Sequence, residues 1–157
     1  MTQPTVSPFF TVNLRKVLRA TPERVYRAWT QPEELRRWFA AGEGYTTPIA
    51  EVDLQVGGRF RVGMQAPDSN QLSIASGVYE EIVQGARLVF TWRWEHEGPD
   101  APTTRLTLEF RPHVEGTELI LVHERLVDAT MRDQHALGWQ ACLASLERLL
   151  SKGDDNR

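Results

Sequence analysis

The sequence predicts an α+β fold in one domain spanning 1–157: a strongly curved antiparallel sheet of about six to seven strands, two short helices and one long C-terminal helix enclosing a cavity. Three features carry this. From residue 49 to about 125, apolar positions recur every second residue, in runs separated by short glycine-bearing turns. Turns that short join only antiparallel neighbours. Residues 134–150, QHALGWQACLASLERLL, then set His135, Trp139, Cys142, Leu143, Leu146 and Leu149 or Leu150 at helical spacing on one face. This helix is the only element large enough to cover the sheet's apolar side. A twisted sheet curling round one helix leaves a gap where the two diverge, which is a natural ligand site.

Each element has its own local warrant. Residues 1–8, with Pro4 and Pro8, read as a loose lead-in, and residues 9–18 as a first strand. Thr21-Pro22-Glu23 is a helix start, with a hydroxyl cap, proline in the first turn and an acid beside it. That helix buries Val25, Ala28 and Trp29 and must stop before Pro32. Pro32-Glu33-Glu34 opens a second helix carrying Leu35, Trp38 and Phe39, followed by a loop over 40–48. Strands over 49–54 and 59–64 meet at Gly57-Gly58, where a positive φ costs nothing. A longer strand over 71–83 is expected to break at Gly77. Strands follow over 87–95, 103–111 and 117–124, with a loop at 96–102. Asp128 or Thr130 caps the last helix, of about twenty residues, and the polar tail 152–157 is expected to fray.

Composition excludes several function classes. The chain is 41% hydrophobic and 25% charged, ordinary for a globular protein. A net charge of -3, with arginines scattered among acids, gives no electrostatic case for nucleic acid or for an anionic membrane surface. No run approaches the ~20 apolar residues of a membrane span, and the N-terminus lacks the basic and apolar regions of a signal peptide. The single cysteine, Cys142, rules out an internal disulfide framework. A cytoplasmic location is expected.

The chemistry-bearing residues are few. Phe60, Phe90, Trp92, Trp94 and Trp139 are more large rings than close packing of a small domain requires, and indoles suit the wall of a half-filled pocket. Each of them, taken singly, is also ordinary core. His123, closing the last strand, and His135, opening the long helix, are placed near one end of such a pocket. They are either satisfied core residues or, with Glu124 or Asp133, an acid–base pair. The four histidines lie on different elements and share no zinc-site spacing, so no metal and no cofactor are expected. Cys142 sits on the buried stripe, where a thiol behaves as a small hydrophobe. No phosphate-binding loop, dinucleotide fingerprint or nucleophile elbow occurs. Arg59 and Arg61 face outward, to be paired with Glu51 or Asp53. The apolar outer pair Ile120 and Val122 is expected under a loop or at a contact between two copies of the chain, of which the homodimer contact is preferred.

The stretches RVYRAWTQPEELRRWFA, GGRFRV, GVYEEIVQGARLVFTWRW, GTELILVHERL and HALGWQACLASLERLL resemble successive blocks of the activator of heat-shock-protein-90 ATPase homologue-like family, over roughly 9–151. That family lies within the START-like, birch-pollen-allergen-like helix-grip superfamily. The resemblance implies a helix-grip fold with Trp38, Phe39, Phe90, Trp92, Trp94, His135 and Trp139 around a cavity. It implies one of several jobs, because members include binders of hydrophobic small molecules, co-chaperone modules and polyketide cyclase-like enzymes. The eukaryotic co-chaperones resemble this chain only in the helix-grip domain and carry a further domain that grips the chaperone.

The leading expectation is a module that binds or sequesters a hydrophobic or aromatic small molecule. Its candidate ligand-binding residues are Trp38, Phe39, Phe60, Met64, Tyr79, Phe90, Trp92, Trp94, Leu106, Leu108, Leu121, His123, His135, Trp139 and Cys142. The first alternative is a cyclase, dehydratase or hydrolase using His123 and His135. The second is a protein-interaction module with a chaperone as partner.

Overall fold

The computed structural model describes residues 9–151; the expected lead-in 1–8 and tail 152–157 lie outside the described residues. Strand β1 (Phe10–Leu18) precedes helices α1 (Pro22–Thr30) and α2 (Pro32–Trp38). Six strands follow: β2 (Thr46–Val52), β3 (Arg59–Gln65), β4 (Leu72–Val83), β5 (Arg87–Trp94), β6 (Thr104–His113) and β7 (Gly116–Leu126). A short 3-10 turn, Glu95–Glu97, follows β5, and helix α3 (Ala129–Ser151) ends the fold. The sheet is one curved, seven-stranded antiparallel layer in the order β1-β7-β6-β5-β4-β3-β2. This is the helix-grip architecture.

The helix signals act as their chemistry predicts. Thr21 Oγ1 accepts the Arg24 backbone N–H at 3.1 Å, which satisfies one orphan donor of α1. The Gln31 N–H returns to the Arg27 carbonyl at 3.0 Å as α1 gives way to α2 at Pro32. Of the two caps open for α3, Asp128 is the one used. Its Oδ1 accepts from the Met131 N–H at 2.7 Å, and its carbonyl accepts from the Arg132 N–H at 3.1 Å.

Several boundaries and one expected break differ from the sequence reading. Strand β2 starts at Thr46 rather than 49, because the Thr47 hydroxyl donates to the Phe39 carbonyl and ties the chain to the end of α2. Strand β4 does not break at Gly77; it runs through and carries its register shift between Tyr79 and Glu81. Gly77 is required for another reason: a Cβ there would lie 1.7 Å from the Thr91 carbonyl oxygen of β5. Strand β5 ends at Trp94, and the loop begins with the 3-10 turn. Strand β7 continues to Leu126, so His123 lies inside the strand rather than closing it, and Arg125 adopts a left-handed φ of 71° before α3.

The core lies between the sheet's concave face and the three helices. Inward positions alternate along the strands, as in Leu106, Leu108 and Phe110 of β6 and Leu119, Leu121 and His123 of β7, all buried. From α1 and α2, Trp29, Trp38 and Phe39 enter the same space; the first two rings meet edge-on at 4.8 Å, and Trp38 Nε1–H donates to the Ala28 carbonyl at 2.8 Å. Leu143, Leu146, Leu149 and Leu150 close the core from α3. On the convex face Arg61 pairs with Glu95 at 2.9 Å and more distantly with Glu51 at 3.7 Å. Ile120 and Val122 are half-buried there, opposite Arg15 and Asn13 of β1. No helix among the described residues is long and apolar enough to cross a membrane.

Candidate functional site

Where α3 leaves the sheet, its N-terminal half and the ends of β3, β4 and β5 enclose a hollow of about 420 Å³. The remaining walls are Phe39, Ala41 and Tyr45 of the α2–β2 connection and His96 and Glu97 after β5. Helix α3 contributes Met131, Gln134, His135, Gly138, Trp139 and Cys142, while the strands contribute Met64, Ser73, Trp92 and Trp94. Alternation on β5 sends Trp92 and Trp94 to the same inner face, and helical spacing puts residues 131, 135, 138 and 142 in one row opposite them.

Two imidazoles hold the indole wall, and their hydrogen bonds define which nitrogen carries the proton. Thr104 Oγ1–H donates to the Trp92 carbonyl at 2.9 Å, so the hydroxyl has only lone pairs left for His123 Nε2 at 2.7 Å. His123 Nε2 is therefore protonated, and its Nδ1 accepts the Trp139 indole N–H at 3.0 Å. His135 takes the other tautomer. Its Nδ1–H donates to the Met131 carbonyl at 2.8 Å, and its Nε2 accepts the Trp94 indole N–H at 2.9 Å. The two rings meet edge-to-face at 4.9 Å.

Electrostatics reinforces this arrangement. Burial, and secondarily the neighbouring His135, pushes the His123 pKa down to about 3. His135 is also lowered by burial, against an opposing pull from the Met131 carbonyl and the Glu97 carboxylate. Both rings are neutral near pH 7, and every ring nitrogen is already used. The sequence leaves this pair open between satisfied core residues and acid–base work; here each ring nitrogen makes a hydrogen bond within the protein, and the two rings position Trp94 and Trp139. Cys142 is 3% exposed, and burial pushes its thiol up to about 12, far from a nucleophilic thiolate. Among the described residues no group of three or more His, Cys, Asp or Glu is placed to hold a metal ion. The Trp92 indole N–H is buried with no hydrogen-bond partner among them, an orphan donor in the wall of the hollow.

The structure divides the fifteen candidate residues. Phe39, Met64, Trp92, Trp94, His135, Trp139 and Cys142 line the hollow. Trp38, Phe60, Tyr79, Phe90, Leu106, Leu108, Leu121 and His123 do not; they are sealed in the core. The reason is that Trp29, Trp38 and Phe39 fill the deep part of the sheet–helix gap, leaving only its outer end open. Sequence reasoning missed Ala41, Tyr45, Ser73, His96, Glu97, Met131, Gln134 and Gly138. Extending the α3 stripe one turn back from His135 reaches Met131. Tyr45 and Glu97 come from irregular segments, where no periodicity marks an inward face.

Comparison with known proteins agrees with this architecture. The family model described as Activator of Hsp90 ATPase homolog 1-like protein matches residues 19–151. Among solved structures, protein CV1439 from Chromobacterium violaceum is 35% identical with a TM-score of 0.80, covering 89% of this chain and 96% of its own. Protein NE0264 from Nitrosomonas europaea is 25% identical with a TM-score of 0.77, covering 94% and 97%. The AHSA1-like protein from Aeromonas hydrophila, 23% identical with a TM-score of 0.75 over 91% and 93%, shares the fold. No curated protein matches the chain.

Proposed function

The chain belongs to the Activator of Hsp90 ATPase homolog 1-like family, and on that premise we propose that it binds or sequesters a hydrophobic or aromatic small molecule in the hollow beside α3. One observation carries the reading: a recess of about 420 Å³ persists at a sheet–helix interface that is otherwise filled by interlocking rings. Its volume lies within the range of roughly 300–1,000 Å³ typical of small-molecule sites. Trp94 and Trp139 are held by hydrogen bonds to neutral imidazoles, so the wall is rigid before any ligand arrives. Binding would be driven by burial of apolar surface against these rings.

Gly138 supplies the test. It lines the hollow in the middle of α3, and a Cβ there meets nothing within 4 Å. Gly138→Leu places a side chain in the recess while raising helix propensity, by up to about 1 kcal/mol. The expected result is an equally or more stable protein that no longer binds an aromatic probe such as 2-naphthalenemethanol, followed by tryptophan fluorescence. Unchanged probe affinity in a stably folded variant would place the binding elsewhere.

A further inference from the structure

The charge around the hollow is one-sided. Among the described residues that line it, Glu97 is the only acid, and none is lysine or arginine. Glu97 is exposed at the rim and makes no ion pair among the described residues, so its carboxylate is unneutralised where a ligand would enter. It stands close enough to His135 to act on that ring's charge.

Three cations on the elements that line the hollow are engaged elsewhere. Arg93 alternates with Trp92 and Trp94 to the opposite face of β5, where its Nη2 donates to the Gly98 carbonyl at 3.3 Å. Arg61 is occupied on that same face by Glu95 and Glu51. Arg132, one residue past Met131 on α3, stacks over the Phe10 ring at 5.1 Å and pairs with Asp133. The positive end of the α3 dipole lies at this end of the hollow and would favour an anion, but the Asp128 carboxylate already caps it. Rings complete the setting: Trp94 is half-buried and Tyr45 exposed beside the same opening, and aromatic faces attract cations.

Building on the binding reading above, we propose that the hollow selects organic cations: its ligand is an aromatic or other apolar body bearing an ammonium-type group, which meets Glu97 at the rim. Anionic amphiphiles such as fatty acids are disfavoured, because the recess offers their carboxylate no cation and one like charge.

Three near-isosteric probes separate charge from shape: 2-naphthylmethylamine, protonated at pH 7, neutral 2-naphthalenemethanol and anionic 2-naphthoate. Titrated calorimetrically at low salt, the amine is expected to bind about fivefold more tightly than the alcohol, the scale of one exposed ion pair. The carboxylate should bind more weakly than either, and the amine's advantage should shrink as salt is added. In Glu97→Gln the amine and alcohol should converge, and Glu97→Lys should favour the naphthoate. If amine and alcohol bind the wild type alike, or keep their ratio in Glu97→Gln, the cation proposal is overturned and the hollow reading survives. If none of the three probes binds, both fail.

Discussion

Acidification probes the imidazole pair most sharply. In the folded protein His123 donates through Nε2 to Thr104 and accepts through Nδ1 from Trp139, so a second ring proton would face an N–H head-on. Its folded pKa is depressed to about 3, against roughly 6.5 for an exposed imidazole. The unfolded chain therefore takes up a proton that the folded one refuses. The stabilisation is fully present above the unfolded value and is lost as pH falls toward the folded value. Each bound proton tilts the equilibrium by about 1.4 kcal/mol per pH unit. Between pH 7 and pH 5, His123 alone thus removes about 2 kcal/mol, and His135, lowered for the same reason, acts in the same direction. Ion-paired carboxylates such as Glu95, held low by Arg61, contribute only at more acidic pH, which leaves this window to the imidazoles. Urea unfolding followed by tryptophan fluorescence at half-unit pH steps measures the effect. His123→Gln keeps an acceptor for Trp139 and a donor for Thr104 without a titrating ring, and should lose about 2 kcal/mol less than wild type over the same interval. Parallel curves for the two proteins, or a wild type that gains stability on acidification, would refute the tautomer assignment.

Other expectations are simpler to check. Gly77→Ala places a methyl group 1.7 Å from the Thr91 carbonyl oxygen, so β4 and β5 must separate; expression of folded protein should collapse, and an unchanged melting temperature would contradict the placement. Cys142, buried with its thiol pushed up to about 12, should resist Ellman's reagent in the native protein and react fully in urea. Immediate native labelling would mean that the floor of the hollow opens freely. Trp139→Ala removes a ring 4% exposed that packs on Trp29, Phe39 and Trp92, and should cost about 3–5 kcal/mol of stability by denaturant titration. A loss under 1 kcal/mol would show that this ring is not part of the core.

The architecture was legible because each of its determinants is local. Thr21-Pro22 marks a helix start wherever it folds, and alternation through Leu106, Leu108 and Phe110 requires one buried face whatever lies opposite. The site was half legible for the same reason: Trp92, Trp94, His135 and Trp139 follow from strand and helix periods. How deep the gap runs is not a local property. It depends on Trp29, Trp38 and Phe39 of α1 and α2 packing beneath α3, which no period in the later strands reveals, and this is why Phe60, Tyr79 and Phe90 lie in core. Spacing places the two imidazoles near one end of the pocket but does not report how each is bound, since the hydroxyl that sets the His123 tautomer comes from Thr104, on a third element. Glu97 was invisible because it sits in a turn whose direction is set by where β5 ends.

The hollow itself can be tested through the indole N–H signals of the five tryptophans, recorded by 15N-correlated NMR while neutral 2-naphthalenemethanol is added. A ligand seated beside α3 should shift Trp94, Trp139 and Trp92 and leave Trp38, hydrogen-bonded to Ala28 behind the core, in place. Saturating probe that moves none of those three, or moves Trp38 as far as Trp94, would contradict the account.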